Sequence, residues 1–193
     1  MTDRVRILSK EVLSDDWYTL NKFTFEYRNR NNEWQTQKRE SYDRGNGAAI
    51  LLFNKPNRTV VLIRQFRLPS YLNGNTDGMM VEVCAGLLDG DNPHDCIIKE
   101  VEEETGYRIK QVEPVLVAFM SPGAVTEKIH FFLGEYDASD KVSDGGGLAS
   151  EQEDIEVLEL DFERAYDMIA EGIIQDAKTI MLLQHARLNG VFE

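Results

Sequence analysis

An acidic segment with two clear helix boundaries constrains the fold of this chain more than any other feature. It runs from Gly86 to Tyr107 and reads GLLDGDNPHDCIIKEVEEETGY. Asn92 is a favourable N-cap, and Pro93 suits the first helical position because the N–H that it lacks has no partner there. Gly106 stands where a left-handed residue often ends a helix. We therefore predict a short helix at the centre of this segment.

The predicted helix has one apolar face and one acidic face. Ile97 and Val101, four residues apart, form the apolar stripe, whereas Glu100, Glu103 and Glu104 share another face. Like charges at this spacing repel by roughly 0.2–0.5 kcal/mol per pair in an isolated helix. A hard divalent cation such as Mg²⁺ would relieve that repulsion by binding the carboxylate oxygens. Taken alone, the pattern also fits a solvated acidic surface in a chain with a net charge of −13.

Composition narrows the classes of protein to consider. With 193 residues and 42% hydrophobic content, the chain can form one well-packed domain with a small appendage. No apolar run approaches the roughly 18–20 residues of a membrane-spanning helix, and the first residues lack a signal-peptide pattern. We expect a cytoplasmic protein in which Cys84 and Cys96 are buried free thiols. The net negative charge of the chain disfavours nucleic acids and anionic membranes as partners.

The first 44 residues predict a small β subdomain. Phe23, Phe25 and Tyr27 alternate with polar residues, which is the pattern of a half-buried strand. A turn at residues 29–32 would return the chain as a second hairpin arm over residues 34–42. Such a hairpin is marginal by itself, so it must pack on the main domain, residues 45–193, or on another subunit.

The remaining chain predicts strands and helices around one core. The continuous apolar run VVLIRQF indicates a strand that is covered on both faces. Two polar stretches, residues 71–78 and 137–152, predict loops. The second, with three consecutive glycines, is typical of a flexible loop that is either a functional lid or disordered. Irregular alternation of helices and strands indicates an α/β layer with a mixed sheet. The predicted strands are residues 48–53, 59–66, 79–84, 112–120, 129–136 and 155–160, and the predicted helices are residues 162–171 and 178–188.

The acidic segment resembles the signature of the Nudix family. Its second half, Lys99 to Tyr107, matches the pattern Arg-Glu-apolar-x-Glu-Glu-x-Gly-apolar with Lys in place of Arg. The first half departs from the pattern, because Asp91 replaces the expected Glu and only four residues separate it from Gly86. In the family, this Glu pairs with the Arg to brace the loop. The resemblance therefore implies an Asp91–Lys99 pair here, shorter and without the bidentate fork of Arg.

Further stretches resemble the Nudix subgroup that hydrolyses ADP-ribose and other nucleoside diphosphate sugars. They include IRQFR at residues 63–67 and SPG at residues 121–123. The stretches KRESYDRGNGAAILL, CAGLLD and MSPGAVTEKIHFF are most similar to the branch that hydrolyses GDP-mannose. The resemblance covers nearly the whole chain. It implies the Nudix fold, an α/β (α+β) arrangement in which an α/β/α sandwich holds a mixed central sheet, and a homodimer whose exchanged N-terminal segments line both sites.

The resemblance also implies a divalent-metal site, with Mg²⁺ as the expected ion and Mn²⁺ as an alternative. Glu100 and Glu104 would bind the metal together with the backbone carbonyl of Ala85 and a Glu at or just after the loop of residues 137–152. Glu153 is the favoured loop residue, because it belongs to the EDIE sequence that precedes a predicted strand, while Glu151 stays open. The candidate catalytic residues are Glu103, Glu104 and Glu153.

Cations and aromatic residues outside the signature are candidates for substrate binding. Arg67, at the end of a buried strand, resembles the family's substrate arginine, and Lys178 matches a substrate lysine. Each could instead be a surface charge, which for Arg39 is the first interpretation. Trp17 or Tyr18 could stack on a nucleobase, although an N-terminal aromatic residue more often belongs to a core. The full set of substrate-binding candidates is Trp17, Tyr18, Lys38, Arg39, Glu40, Arg67, Glu127 and Lys178.

The chemistry of a pyrophosphate linkage fits these residues. Its negative oxygens repel a nucleophile, whereas a divalent cation neutralises them and orients water while a carboxylate takes the proton. We expect Mg²⁺-dependent hydrolysis of a nucleoside diphosphate sugar, with GDP-mannose, split into GMP and mannose 1-phosphate, as the first candidate. An ADP-ribose pyrophosphatase is the nearest alternative. A non-catalytic Nudix-fold binding module would have lost signature glutamates, and a calcium-buffering protein would carry an EF-hand loop, which this sequence lacks.

Overall fold

The computed structural model describes residues 4–193 of the chain. The strands are β1 (Val5–Asp15), β2 (Thr19–Arg28), β3 (Trp34–Asp43), β4 (Gly47–Asn54), β5 (Thr59–Phe66), β6 (Met79–Glu82), β7 (Cys84–Leu87), β8 (Glu113–Phe119), β9 (Lys128–Glu135) and β10 (Glu156–Asp161). The helices are α1 (Leu68–Leu72), α2 (Pro93–Glu100), α3 (Phe162–Ala170) and α4 (Ala177–Leu188). One turn of π-helix, Val101–Thr105, extends α2, and short 3₁₀ turns lie at Ala138–Asp140 and Ala149–Glu151.

The first of two compact units comprises the chain up to Asn46 together with Phe119–Lys128. Within it, β1, β2 and β3 form an antiparallel sheet in that order. The Asn29 side chain closes the β2–β3 turn by accepting hydrogen bonds from the amides of Asn31 (2.9 Å) and Glu33 (3.0 Å). The predicted hairpin is therefore confirmed.

A seven-stranded mixed sheet forms the frame of the second unit, Gly47–Ala118 with Ile129–Glu193. Five strands follow the order β10-β5-β4-β9-β8, while β6 pairs with β5 and β7 pairs with β4. β4 and β9 run parallel, whereas β4 runs antiparallel to both β5 and β7. The predicted mixed sheet is therefore confirmed, and helices accompany it in an α+β arrangement.

β4 lies inside this sheet, and all eight of its residues are buried. One set of alternate residues, including Ile50, packs with Ile97 and Val101 of the acidic helix, the name used here for α2 with its π turn. The other set, including Leu51, is equally buried, and α4 also contacts β4. Because successive side chains of a strand point to opposite faces, β4 is covered on both sides. Burying a side chain of this size contributes roughly 1.5–3 kcal/mol, so Ile97 anchors the acidic helix to the sheet.

Two departures from the sequence-based expectations occur near β6. Residues 68–72 form the short helix α1, which overlaps the start of the predicted polar loop. The strand predicted over residues 79–84 is interrupted at Val83, whose amide donates a hydrogen bond to Thr179 Oγ1 (2.8 Å). A side chain from α4 thus takes the place of a strand partner, and the chain continues as β7. Strand propensity, which is a local property, does not reveal a contact of this kind.

Cys84 and Cys96 are both buried and free, as expected. Burial raises the pKa of the Cys84 thiol, and the nearby charge of Glu104 adds to the effect, so this thiol stays protonated. Within residues 4–193, no helix is both long enough and apolar enough to span a membrane.

Candidate active site

The acidic helix begins and ends where its sequence signals predict. The Asn92 side chain caps it by accepting a hydrogen bond from the amide of His94 (2.8 Å), and Pro93 opens the first turn. At the other end, Gly106 is left-handed with a φ of 76°. The last turn widens into the π-helical Val101–Thr105, a form that occurs frequently at functional sites.

The glutamates of the predicted acidic face lie against the protein to different degrees. Glu104 is only 1% exposed and accepts a hydrogen bond from the Ala85 amide on β7 (3.2 Å). Glu100 and Glu103 are half-buried. A solvated acidic surface, the alternative interpretation of this pattern, therefore does not describe Glu104.

Burial makes two of these carboxylates difficult to ionise. It raises the pKa of Glu104 to about 8; the nearby charges of Glu100 and Glu153 add to this effect, while two hydrogen bonds to the carboxylate oppose it. Burial likewise raises the pKa of Glu100 to about 7, with Glu103 as the largest contribution from a charge. Clustered acids with raised pKa values are typical of functional sites, where a bound cation would compensate their charge.

Gly86 lets the Glu100 carboxyl group lie directly against β7. A Cβ atom built at this position would overlap that carboxyl group. Any other residue would displace Glu100 from the strand or push the strand from the helix. The first glycine of the signature therefore acts through the close approach that it permits.

The loop of residues 137–152 is bound to the end of the acidic helix. The amides of Gly146 and Gly147 donate hydrogen bonds to the carbonyl oxygens of Glu104 (2.9 Å) and Glu103 (3.1 Å). These bonds satisfy carbonyl groups that a helix end leaves without partners. The glycines therefore anchor this part of the loop to the helix.

The same loop determines the position of Glu153. This residue is half-buried and accepts a hydrogen bond from a backbone amide of the loop (2.9 Å), whereas Glu151 is exposed. A Cβ atom on Gly147 would lie 2.5 Å from a carboxylate oxygen of Glu153, so only glycine allows this contact. The charge of Glu153 also contributes to the raised pKa values of both Glu100 and Glu104.

The available donors fit a hard divalent cation, because every candidate ligand is an oxygen atom. Within residues 4–193, however, no three His, Cys, Asp or Glu side chains already converge as a metal site. Glu153 accepts its hydrogen bond from the loop at Oε2, which leaves the other carboxylate oxygen for a metal. The observation that favours a cation here is the raised pKa of Glu100 and Glu104. The candidate ligands are the carboxylates of Glu100, Glu104 and Glu153 and the carbonyl of Ala85.

The expected brace between Asp91 and Lys99 is wrong. The Lys99 ammonium instead lies 3.5 Å from a carboxylate oxygen of Glu103, one helical turn further along. Side chains four residues apart on a helix are neighbours, so Lys99 finds this partner locally. The Asp91 amide donates a hydrogen bond to the Leu88 carbonyl (2.6 Å), which closes the shortened loop through the backbone.

Two candidate substrate cations, Arg67 and Lys178, converge on a buried acid that had no role in the sequence-based prediction. This acid is Glu82 at the end of β6, which is 4% exposed. Its carboxylate accepts a hydrogen bond from Arg67 Nε (2.6 Å) and lies 3.3 Å from Lys178 Nζ. The sequence did contain a signal for this contact, namely a charged residue inside the apolar strand MVEVC. A buried carboxylate almost always has a partner, so such a residue indicates a nearby cation.

The other substrate candidates belong to the N-terminal unit. Trp17 is 79% exposed and is therefore not a core residue. Tyr18 packs edge-on against Tyr42 with 5.8 Å between ring centroids, and the Arg44 guanidinium lies 5.2 Å from its ring centroid. Glu127 pairs with the same Arg44 (3.3 Å). The candidates with exposed side chains on β3 are Lys38, Arg39 and Glu40.

Comparison with known protein families identifies the class of this protein. Residues 43–183 match the family model of the NUDIX domain, which covers well over half of the chain. The protein therefore belongs to the Nudix family of hydrolases. Residues 4–42 match a second model, the GDP-mannose pyrophosphatase NudK N-terminal domain.

Individual relatives support this assignment over the full length. A GDP-mannose pyrophosphatase of Yersinia enterocolitica is 53% identical over 100% of both chains. One from Salmonella typhimurium is 49% identical, again over 100% of both chains. A solved structure described as an ADP compounds hydrolase superposes with a TM-score of 0.71 at 18% identity, covering 97% of this chain and 96% of that chain. The expected Nudix fold is confirmed.

The metal-free protein should lose stability as the pH rises from about 5 to about 8. Burial raises the pKa values of Glu100 and Glu104, so over this range the folded state binds more protons than the unfolded state. Stability falls with pH wherever that holds, here by an amount on the order of a few kcal/mol. Urea unfolding in the presence of a chelator, at about pH 5.5 and about pH 8.5, measures the difference.

Glu104→Gln should flatten this pH dependence, because it removes the more strongly shifted group. Glu102→Gln is the matched control on the same helix. A hydrogen bond from Arg108 lowers the pKa of Glu102, so its protonation belongs to a more acidic range. A wild-type stability that rises between these two pH values would contradict the burial of the two acids.

Proposed function

We propose that this protein hydrolyses the pyrophosphate linkage of a nucleoside diphosphate sugar in an Mg²⁺-dependent reaction in the cytoplasm, with GDP-mannose as substrate and GMP and mannose 1-phosphate as products. The proposal is carried by Glu100, Glu104 and Glu153, because burial raises the pKa values of Glu100 and Glu104 and the charge of Glu153 adds to both effects. The intact signature glutamates argue against a non-catalytic module. Full-length similarity to enzymes named GDP-mannose pyrophosphatase supports the substrate. The free thiols of Cys84 and Cys96 fit a reducing compartment.

In this proposal, each metal ligand is an oxygen of the acidic helix, of β7 or of Glu153, which follows the loop of residues 137–152. The groups that would hold the ion are the carboxylates of Glu100, Glu104 and Glu153 and the carbonyl of Ala85. When bound, a divalent ion offsets the negative charge of the diphosphate and lowers the pKa of a coordinated water. Glu153 takes the proton of the attacking water, a role supported by its partial exposure to solvent. Glu103 is the alternative acceptor, although Lys99 already offsets part of its charge.

Substrate binding in this proposal uses cations and aromatic rings. Arg67 and Lys178 bind the negative charge of the diphosphate before the reaction. Trp17 stacks on the nucleobase, a role supported by its exposed ring. The remaining substrate contacts are assigned to Tyr18, Lys38, Arg39, Glu40 and Glu127.

We also propose a homodimer that forms through the N-terminal β subdomain, residues 1–44. β1 is exposed along its whole length and carries exposed apolar side chains, including Val5, Ile7 and Val12. Contiguous exposed apolar surface of this kind marks interaction sites. Exchange of this subdomain with a second copy of the chain would cover that surface and bring its substrate-binding candidates to the partner's site.

Light scattering at micromolar concentration should find a dimer. Ile7→Asp should shift the equilibrium towards the monomer, because it places a charge in the apolar interface. Leu188→Asp, at an exposed position of α4, is the matched control and should leave the dimer intact. A compact wild-type monomer would rule out the exchanged dimer and the shared site.

The reaction is tested by turnover of GDP-mannose, ADP-ribose, GDP-glucose and NADH with and without Mg²⁺. We expect GDP-mannose to be cleaved fastest and a chelator to abolish cleavage. Glu104→Gln should lower kcat at least about 10²-fold, the loss expected when an electrostatic group at the transition state is removed. Glu102→Gln, which changes an acid that pairs with Arg108, should retain activity.

Each possible result of this panel has a distinct meaning. Faster cleavage of ADP-ribose would select the alternative substrate. Near-normal turnover by Glu104→Gln at saturating Mg²⁺ would contradict the metal assignment. No cleavage of any sugar nucleotide by the wild type would overturn the proposed function.

A second kinetic comparison tests the loop carboxylate. Glu153→Gln should lower kcat by about 10²-fold or more and change KM little, because the lost interaction acts mainly in the transition state. Arg67→Ala should instead raise KM, because this cation binds the substrate in the ground state. Glu151→Gln, two residues away and exposed, is the matched comparison.

Thermal melts first establish that each variant is folded. If Glu151→Gln is inactive and Glu153→Gln is normal, the loop ligand is Glu151. If both variants are normal, Glu103 becomes the proton acceptor.

A further inference from the structure

The buried acid Glu82 occupies a position that none of the proposed catalytic roles uses. Both of its carboxylate oxygens face cations: Oε2 accepts a hydrogen bond from Arg67 Nε (2.6 Å), and Oε1 lies 3.3 Å from Lys178 Nζ. We propose that Glu82 is a positioning residue that holds Arg67 and Lys178 together as an anion-binding pair. This inference rests on the proposed function, in which these two cations bind the phosphates of the substrate.

The contacts of Glu82 leave donor groups of both cations free for a ligand. Glu82 binds Arg67 through Nε, and the described chain offers no acceptor to the two terminal nitrogens of this guanidinium. Lys178 has three N–H donors, of which Glu82 and Asp176 (2.7 Å) accept two. The Arg67 side chain is 42% exposed, so its free nitrogens are accessible to an anion from solvent.

A second set of bonds fixes Lys178 relative to Glu82. Asp176 caps α4 by accepting hydrogen bonds from the amide of Thr179 (2.9 Å) and from its hydroxyl (2.7 Å). The same hydroxyl oxygen accepts a hydrogen bond from the Val83 amide (2.8 Å), and Thr179 is fully buried. Because Val83 follows Glu82 directly, the helix that carries Lys178 is joined to the segment that carries Glu82.

The charge balance explains why this position needs an acid. Burial lowers the pKa of Lys178, but the charges of Glu82 and Asp176 outweigh that effect and raise the pKa overall. The charge of Arg67 acts in the opposite direction, so the two cations repel each other. With a neutral residue at position 82, Asp176 would be the single acid left to balance the charges of the two cations. Arg67 would lose the carboxylate that determines its orientation.

The cation pair is also close in the chain to the carboxylate cluster. Glu82 is three residues before Ala85, whose amide donates to Glu104. Three extended residues span at most about 10 Å, a distance that a nucleotide sugar can bridge. In this proposal, the diphosphate of one ligand therefore contacts the cation pair on one side and faces the carboxylates on the other.

Glu82→Gln tests this inference, because it keeps the size of the side chain and removes its charge. We expect KM for GDP-mannose to rise about tenfold or more, the order expected for one lost hydrogen bond between charged groups, and kcat to change less than about threefold. Glu159→Gln is the matched control. Glu159 lies on β10 and accepts hydrogen bonds from the hydroxyls of Tyr136 (2.8 Å) and Thr59 (3.1 Å), so this change should leave KM unaltered.

A purely structural role for Glu82 gives a different pattern, namely a lower melting temperature with a normal KM. The double variant Arg67→Ala/Glu82→Gln distinguishes the two roles. If Glu82 acts through Arg67, adding Glu82→Gln to Arg67→Ala should raise KM far less than it does in the wild-type background. Full additivity of the two changes would overturn the inference.

Arg67→Lys provides a test that does not depend on the folding of Glu82→Gln. It keeps a positive charge but cannot bind Glu82 through one nitrogen while presenting two others to a phosphate. We expect its KM to rise nearly as far as that of Arg67→Ala, and a KM equal to that of the wild type would overturn the inference. A wild type that is active, together with an unaltered KM in Glu82→Gln, removes only the role of Glu82, whereas an inactive wild type removes the proposed function as well.

Discussion

The rest of the structure depends on holding carboxylates out of water beside a strand. Glu104 is almost inaccessible and bound to the Ala85 amide, and Glu100 lies against Gly86. Burial disfavours the charged form of both acids. Apolar packing of Ile97 against the sheet offsets this cost and keeps the helix in place. Such a cluster is unfavourable by itself and suits a site that a cation completes.

One short segment of chain joins this cluster to the cation pair. Glu82, at the end of β6, contacts Arg67 and Lys178, and Ala85, on β7, contacts the acidic helix. Between them, the strand is interrupted where the Val83 amide bonds to a side chain of α4 instead of a neighbouring strand. This interruption ties the segment to α4. The spacing between the proposed anion-binding groups and the proposed metal ligands is therefore built into the sheet.

Elements were more predictable than contacts. Asn92 and Gly106 end the acidic helix as expected, because capping depends on backbone geometry over a few residues. The ion pair expected between Asp91 and Lys99 does not form, because Lys99 has a nearer partner, Glu103, on its own helix. The attachment of the loop of residues 137–152 to the helix was not predicted, since the carbonyls that its amides bind are distant in sequence and local patterns do not reveal such contacts.

The sequence by itself determined the hairpin, the boundaries of the acidic helix, the mixed sheet and the set of glutamates at the candidate site. It could do so because caps, turns and periodicity act between close neighbours in the chain. Only the tertiary structure decided which glutamates are buried and that Arg67 and Lys178 share Glu82. Arg67 and Lys178 are 15 and 96 positions from Glu82 in the chain, and only the folded sheet brings such residues together.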